Sequence, residues 1–258
     1  MRVFLELSYN GAPFNGWQVQ PDAPSVQDAL EQALATIYRS PVPVVGAGRT
    51  DAGVNALSTT AHADLPNDNV PLSKLKYSLN GLLRRVIHIK SVRPVLPGAH
   101  ARFDALSRTY YYYIAREIDP FMAAWVLEMR QLPDASLMNL GAQYLLGEQD
   151  FTSLSKTHTD TKTNICCVSR AEWTSLCEGN VLRFTITANR FLRNMVRAAV
   201  GTLIEVGKGK IPPEAVRAIL AAQDRRRAGS SVPGEALFLA GVTYPPELFL
   251  PYPPTDQP

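Results

Sequence analysis

Hydrophobic and polar positions alternate over residues 2–9, with Val3, Leu5, Leu7 and Tyr9 on one face and Phe4, Glu6 and Ser8 on the other. A period of two predicts a strand. A loop rich in Gly and Pro follows over residues 10–24. Ser25 stands three residues before Asp28, a relative of the capping box, and predicts a helix start. Val26, Leu30, Ala33, Leu34 and Ile37 then recur at helical spacing. That helix is expected to stop before Pro41, and residues 42–45 to form a short strand leading into the glycine-rich stretch 46–57.

The second half has the same rhythm. Residues 136–146 predict a helix with Leu137, Leu140, Tyr144 and Leu145 on one face. Residues 168–175 and 181–187 predict strands joined by a turn at Glu178, Gly179 and Asn180. Residues 190–206 predict a helix, and Pro213 the first position of another running to about Gln223. Strands and helices in two similar halves predict an α+β protein with two related lobes and a cleft between them. The expected boundaries are 1–105 and 106–250, with a proline-rich tail over 251–258 expected to be flexible.

Bulk properties narrow the class. A chain of 258 residues with 46% hydrophobic positions has the length for one large domain or two ordinary ones and the composition of a globular protein. No apolar run approaches the ~20 residues that span a bilayer. An acidic residue at Glu6 interrupts the N-terminus too early for a signal-peptide core, so a cytoplasmic location is expected. Cys166, Cys167 and Cys177 are an odd number without CxxC spacing, which predicts reduced thiols. The histidines His62, His88, His100 and His158 show no ligand spacing, so no metal is expected.

The net charge is only +3 with a pI near 8.8. Its distribution carries more information. Arg183, Arg190, Arg193, Arg197, Lys208, Lys210 and the run Arg225, Arg226, Arg227 gather positive charge in the C-terminal third, which suits a phosphate backbone. Arg190, Arg193 and Arg197 fall at i, i+3 and i+7 and are expected to form one stripe of a helix. A solvated basic face is the plain alternative. Phe191 and Leu192 among these cations favour RNA, where cations meet phosphates and flat side chains stack on bases. Tyr110, Tyr111, Tyr112 and Tyr113, at strand spacing, place two rings on each face, one pair in the core and one toward a cleft or solvent.

The stretch Gly46-Ala47-Gly48-Arg49-Thr50-Asp51-Ala52-Gly53 packs three glycines, an arginine and an aspartate into eight residues. Glycine accepts positive φ and close backbone approach, so the loop is expected to display Asp51 as a reactive carboxylate.

GAGRTDAGV, HARFDALSRTYYYY, ANRFLRNMVR and AVGTLIEVGKGK, in that order, resemble the tRNA pseudouridine synthase A family. SYNGAPFNGWQVQP with SVQDAL, the block LGEQDF and the segment DRRRAG match it as well. The resemblance covers almost the whole chain. It implies the pseudouridine synthase fold: two α/β lobes whose antiparallel sheets meet at a central basic catalytic cleft, usually in a homodimer. It implies isomerisation of uridine to pseudouridine in the anticodon stem-loop of tRNA, around positions 38 to 40, without metal or organic cofactor. Asp51 matches the family's catalytic aspartate and Arg49 an arginine that contacts RNA near the flipped base. Tyr110 matches the tyrosine that stacks on the target uracil, and Arg197 the basic residue paired with the aspartate. Asn55 stands where many members have histidine, and Tyr111 where arginine is common.

Those residue types suit the reaction. The base must leave C1′, turn and rejoin through C5, so it must first leave its stack, at a cost of a few kcal/mol. Phosphate contacts offset that cost, and an aromatic ring replaces lost stacking worth ~1–3 kcal/mol. A carboxylate closed into a pocket tends to take up a proton, and a guanidinium beside it opposes this. Arg197 is therefore expected to keep Asp51 ionised while Arg49 serves the RNA. Whether Asp51 adds to the sugar, adds to the base or removes a ribose proton stays open. Two other readings compete. A non-catalytic RNA-binding module would leave GAGRTDAG without a task. A nucleotide-dependent enzyme would need a phosphate loop, but the GxGxxG spacing and the P-loop lysine are missing.

Overall fold

The computed structural model describes residues 1–156 and 163–253. The chain forms two compact units, one of Met1–Leu106 with Leu239–Pro258 and one of Ser107–Phe238. In the first unit, strand β1 (Arg2–Tyr9) lies between β3 (Asn55–Asp64) and β4 (Ile87–Pro94), antiparallel to both, and the short β2 (Val44–Gly46) pairs with β3. Helices α1 (Val26–Tyr38) and α2 (Leu72–Leu82) bury Val26, Leu30, Leu34, Leu72, Leu75 and Leu79. The Ser25 side chain accepts from the Asp28 amide at 3.2 Å, the cap its spacing predicts. A left-handed Arg39 ends α1 two residues before Pro41.

Alternation along β1 holds for Val3, Leu5, Leu7 and Tyr9, all buried. Phe4 departs from it. Its ring is also buried, packed edge-on against Tyr244 and Phe249 of the returning C-terminal segment, with Val95, Ala99 and Ala101 beneath. A strand covered on both faces loses the polar side of its pattern.

The second unit holds the antiparallel order β5 (Ser107–Ala115), β9 (Val181–Ala188), β8 (Ile165–Leu176) and β7 (Gly147–Asp150), with the two-residue β6 (Leu127–Glu128) parallel to β5. Its helices are α3 (Ala135–Ala142), α4 (Met195–Gly207) and α5 (Ala215–Ala221). Strand β10 (Leu237–Thr243) carries the chain from this unit back to the first. Helix α4 is buried along almost its whole length, Arg197 and Glu205 being the two residues that are not.

Several expected boundaries move. The helix expected over 136–146 ends at Ala142 and tightens into a 3-10 turn, Gln143–Leu145. The one expected from Pro213 begins at Ala215. The helix expected over 190–206 begins only at Met195, because Asn194 is left-handed, with φ 67°. The stripe of Arg190, Arg193 and Arg197 on one helix is therefore not formed. Arg190 and Arg193 lie in the preceding loop and Arg197 alone is helical. No described helix is long and apolar enough to cross a membrane. The three cysteines are free: Cys166 buried, Cys167 half-buried and Cys177 exposed. Of the expected tail, residues 254–258 lie outside those described.

Candidate active site

Asp51 lies half-buried in the loop joining β2 to β3, and Arg49 beside it is exposed. The loop does not hold itself up. Its own main-chain brace is the Val54 amide donating to the Asp51 carbonyl at 3.2 Å. Further ties come from the end of β1 and the glycine-rich loop after it. The Trp17 amide donates to the Thr50 carbonyl at 3.2 Å, the Gly53 amide to the Phe14 carbonyl at 3.4 Å, and the Tyr9 hydroxyl lies 2.8 Å from the Thr50 hydroxyl. Thr50 is thus fixed through its carbonyl and its side chain, and Asp51 is the next residue.

Close approach explains the glycine at position 16. Its φ is +95°, and a β-carbon there would lie 2.4 Å from the Thr50 carbonyl oxygen. Of the three glycines counted in residues 46–53, Gly53 alone takes a positive φ, 74°, in the turn after Asp51. Asn55 is buried, and its side-chain oxygen accepts from the Gly11 amide at 2.8 Å. Asn55 therefore helps pin one loop to the other. Trp17, Gly16, Thr50 and Asn55 are supports that residue spacing did not single out. Their advance signal is the density of Gly and Asn in residues 10–16 and 46–55.

In the second unit, Tyr110 and Tyr112 share the buried face of β5. The Tyr110 ring is 9% exposed and meets Phe191 edge-on at 5.0 Å. Tyr112 is fully buried, which pushes its phenol pKa up. Its hydroxyl donates to the Pro233 carbonyl at 3.2 Å. Tyr111 and Tyr113 occupy the opposite face, where the Arg183 guanidinium sits 4.8 Å from the Tyr111 ring centre.

Arg197 is held by the same segment that receives Tyr112. Its Nε donates to the Val232 carbonyl at 2.7 Å, and the Val232 amide donates back to the Arg197 carbonyl at 3.3 Å. Residues 228–233 form a strap along α4. Arg225 donates to the Ala228 and Gly229 carbonyls at 3.3 and 3.0 Å and to the Ser231 hydroxyl at 2.9 Å. The Asn194 side-chain amide also reaches Ser231, at 2.7 Å. The Gly229 amide donates to the Thr202 hydroxyl at 3.0 Å. Within this unit, then, Arg197 and the tyrosine strand converge on successive carbonyls of one strap. Arg225, in the basic run of the C-terminal third, is a structural tie; Arg226 is engaged by Asp224 at 2.9 Å.

The tRNA pseudouridine synthase family profile matches residues 142–245. Over 250 residues the chain is 53% identical to a tRNA pseudouridine synthase A of Porphyromonas gingivalis, covering 96% of this chain and 99% of that protein. It is 51% identical over 248 residues to that of Parabacteroides distasonis, covering 96% and 98%. The Bacillus subtilis protein of the same name is 38% identical over 248 residues, covering 95% and 99%. Identity at that level along the full length of its relatives means that this chain belongs to the tRNA pseudouridine synthase A family.

Proposed function

We propose that this protein isomerises uridine to pseudouridine at positions 38, 39 and 40 in the anticodon stem-loop of tRNA, with Asp51 as the nucleophile. The observation that carries the reading is the pinned Asp51 loop, in which Thr50 is held by Tyr9 and Trp17, in a chain of this family. A nucleophile gains from being held before its substrate arrives, since orientation then costs nothing at the moment of reaction.

Each further residue has a task. The target nucleotide leaves its stack, at a cost of a few kcal/mol. Tyr110 takes its base, and Arg49 holds the RNA beside it. In this reading Arg197 is the basic partner of the Asp51 carboxylate. Its Nε is held by the Val232 carbonyl at 2.7 Å, which fixes the side chain. In this reading the two units are two lobes around a basic cleft, and the working form is a cytoplasmic homodimer.

Incubating the protein with an unmodified tRNA pool, with no nucleotide added, tests the assignment. Pseudouridine is expected at positions 38 to 40 and nowhere else. Binding without modification would favour an RNA-binding module, and a requirement for nucleotide would overturn the mechanism.

A further inference from the structure

Residues 69–103 contain Lys74, Lys76, Arg84, Arg85, Lys90, Arg93 and Arg102 and not one carboxylate. The chain's excess of cations over carboxylates is three, so everything outside this segment carries net negative charge. The segment runs through α2, the turn after it and β4, and on past β4 to Arg102. Lys74, Lys76, Arg84, Arg85, His88 and Lys90 are all exposed along it, as is the Tyr77 ring at 82%.

Strand register fixes where this charge lies relative to Asp51. Tyr9, at the end of β1, pairs with Ala56 of β3 on one side and with Ile87 of β4 on the other. Asp51 lies just ahead of β3, and Arg84 and Arg85 just ahead of β4. Both loops therefore sit at the same end of the first unit's sheet. The loop after β1 ties to each: the Asn10 amide donates to the Val86 carbonyl at 2.9 Å and the Gly11 amide to Asn55 at 2.8 Å. With neighbouring strands about 4.8 Å apart, the two loops stand roughly 10 Å from one another across β1.

The arginine turn is built rigidly. The Asn80 side chain donates to the Ile89 carbonyl at 3.0 Å and accepts from its amide at 2.7 Å, locking the end of α2 to β4. The Ile87 amide donates to the Leu83 carbonyl at 3.2 Å. Arg85 occupies the left-handed region, with φ 72°. Asparagine adopts that conformation more readily than arginine, so the backbone itself does not call for arginine here.

We infer that Arg84 and Arg85, with His88 and Lys90 behind them, form a phosphate-binding rim that grips the RNA backbone flanking the nucleotide delivered to Asp51. The inference rests on the proposed catalytic role of Asp51. Roughly 10 Å corresponds to about three stacked nucleotides of one strand. A strand with its target base at Asp51 passes its neighbouring phosphates over this turn. Such contacts carry affinity and orientation rather than sequence information.

The test compares Arg84→Ser/Arg85→Asn with Arg84→Lys/Arg85→Lys on an unmodified tRNA transcript across a salt series. The neutral variant is expected to raise KM about tenfold at low salt and to hold kcat within about twofold. Its plot of log kcat/KM against log salt is expected to be shallower by about 1–2, since each phosphate contact contributes ~0.7–0.9. The lysine variant is expected to stay within about threefold of the parent. Arg84→Ser alone, which leaves the left-handed position untouched, is expected to give about half the change in slope and reads it should the double variant fail to fold. An unchanged KM and slope, equal impairment of the neutral and lysine variants, or a changed oligomeric state would each overturn the rim. Filter binding of tRNA reads the rim even if Asp51 is not the nucleophile. An inactive Asp51→Asn together with an unaltered salt slope in Arg84→Ser/Arg85→Asn would defeat the rim and leave the role of Asp51 standing.

Discussion

Arg197 and Val232 hold each other by two bonds, side-chain Nε to carbonyl at 2.7 Å and amide to carbonyl at 3.3 Å in the reverse direction. The first fixes the rotamer of one of only two residues of α4 that are not buried. Lysine can supply the charge but not the planar guanidinium whose Nε satisfies Val232. Arg197→Lys is therefore expected to lose much of the activity. Arg197→Met removes the guanidinium together with its bond to Val232 and is expected to lose more activity than Arg197→Lys. Single-turnover rates of the variants and parent check both expectations, and parental activity in Arg197→Met would count against a catalytic task for this side chain.

Ser231 is the one hydroxyl shared by Arg225 and Asn194. Ser231→Ala leaves a guanidinium and an amide each short of an acceptor, a cost of about 1–3 kcal/mol. Ser231→Thr keeps the oxygen and is expected to recover most of it. Chemical denaturation of the three proteins measures the difference.

Gly16→Ala is expected to cost at least about 2 kcal/mol, combining a positive φ with a contact 2.4 Å from the Thr50 carbonyl. Because the displaced group adjoins Asp51, kcat is expected to fall by more than the loss of folded protein explains. Kinetics well below the unfolding temperature separate the two effects.

His62 supplies a pH dependence unrelated to catalysis. It is buried, accepts from the Ala101 amide through Nδ1 at 3.1 Å, and packs against His100 with ring centres 4.6 Å apart. Burial first, then the neighbouring His100 and Arg2, bring its pKa down to about 4. The unfolded chain, with an ordinary histidine pKa near 6.5, then binds more protons than the folded one between pH 6.5 and 4. Stability is fully present above about pH 6.5 and is lost as pH falls toward 4, by up to roughly 3 kcal/mol. Denaturation midpoints measured across that range are expected to fall for the parent and to flatten for His62→Asn.

Local periodicity reached far into this fold. The alternation of β1, the Ser25 cap and the apolar spacing of α1 all depend on neighbours in sequence, and the structure has them where spacing puts them. Helix α4 shows where such reasoning stops. Apolar spacing runs unbroken through residues 190–206, while a single left-handed residue, Asn194, starts the helix at Met195 and takes Arg190 and Arg193 off it. Composition marked the loop carrying Asp51, but its supports are distant in sequence. Trp17 with Thr50, Gly11 with Asn55 and, in the second unit, the strap over residues 228–233 with Arg197 are pairings that only the folded chain creates. The rim was different: its signal, a long stretch without a carboxylate, was present in the sequence but overshadowed by the arginines of the C-terminal third.

Asp51→Asn gives the most direct test of the central claim. The substitution keeps the size of the side chain and removes its charge, so tRNA affinity is expected to stay within a few-fold of the parent. Pseudouridine at positions 38 to 40 is expected to fall to background in a single-turnover assay with excess enzyme. Substantial pseudouridine formation by that variant would contradict the account.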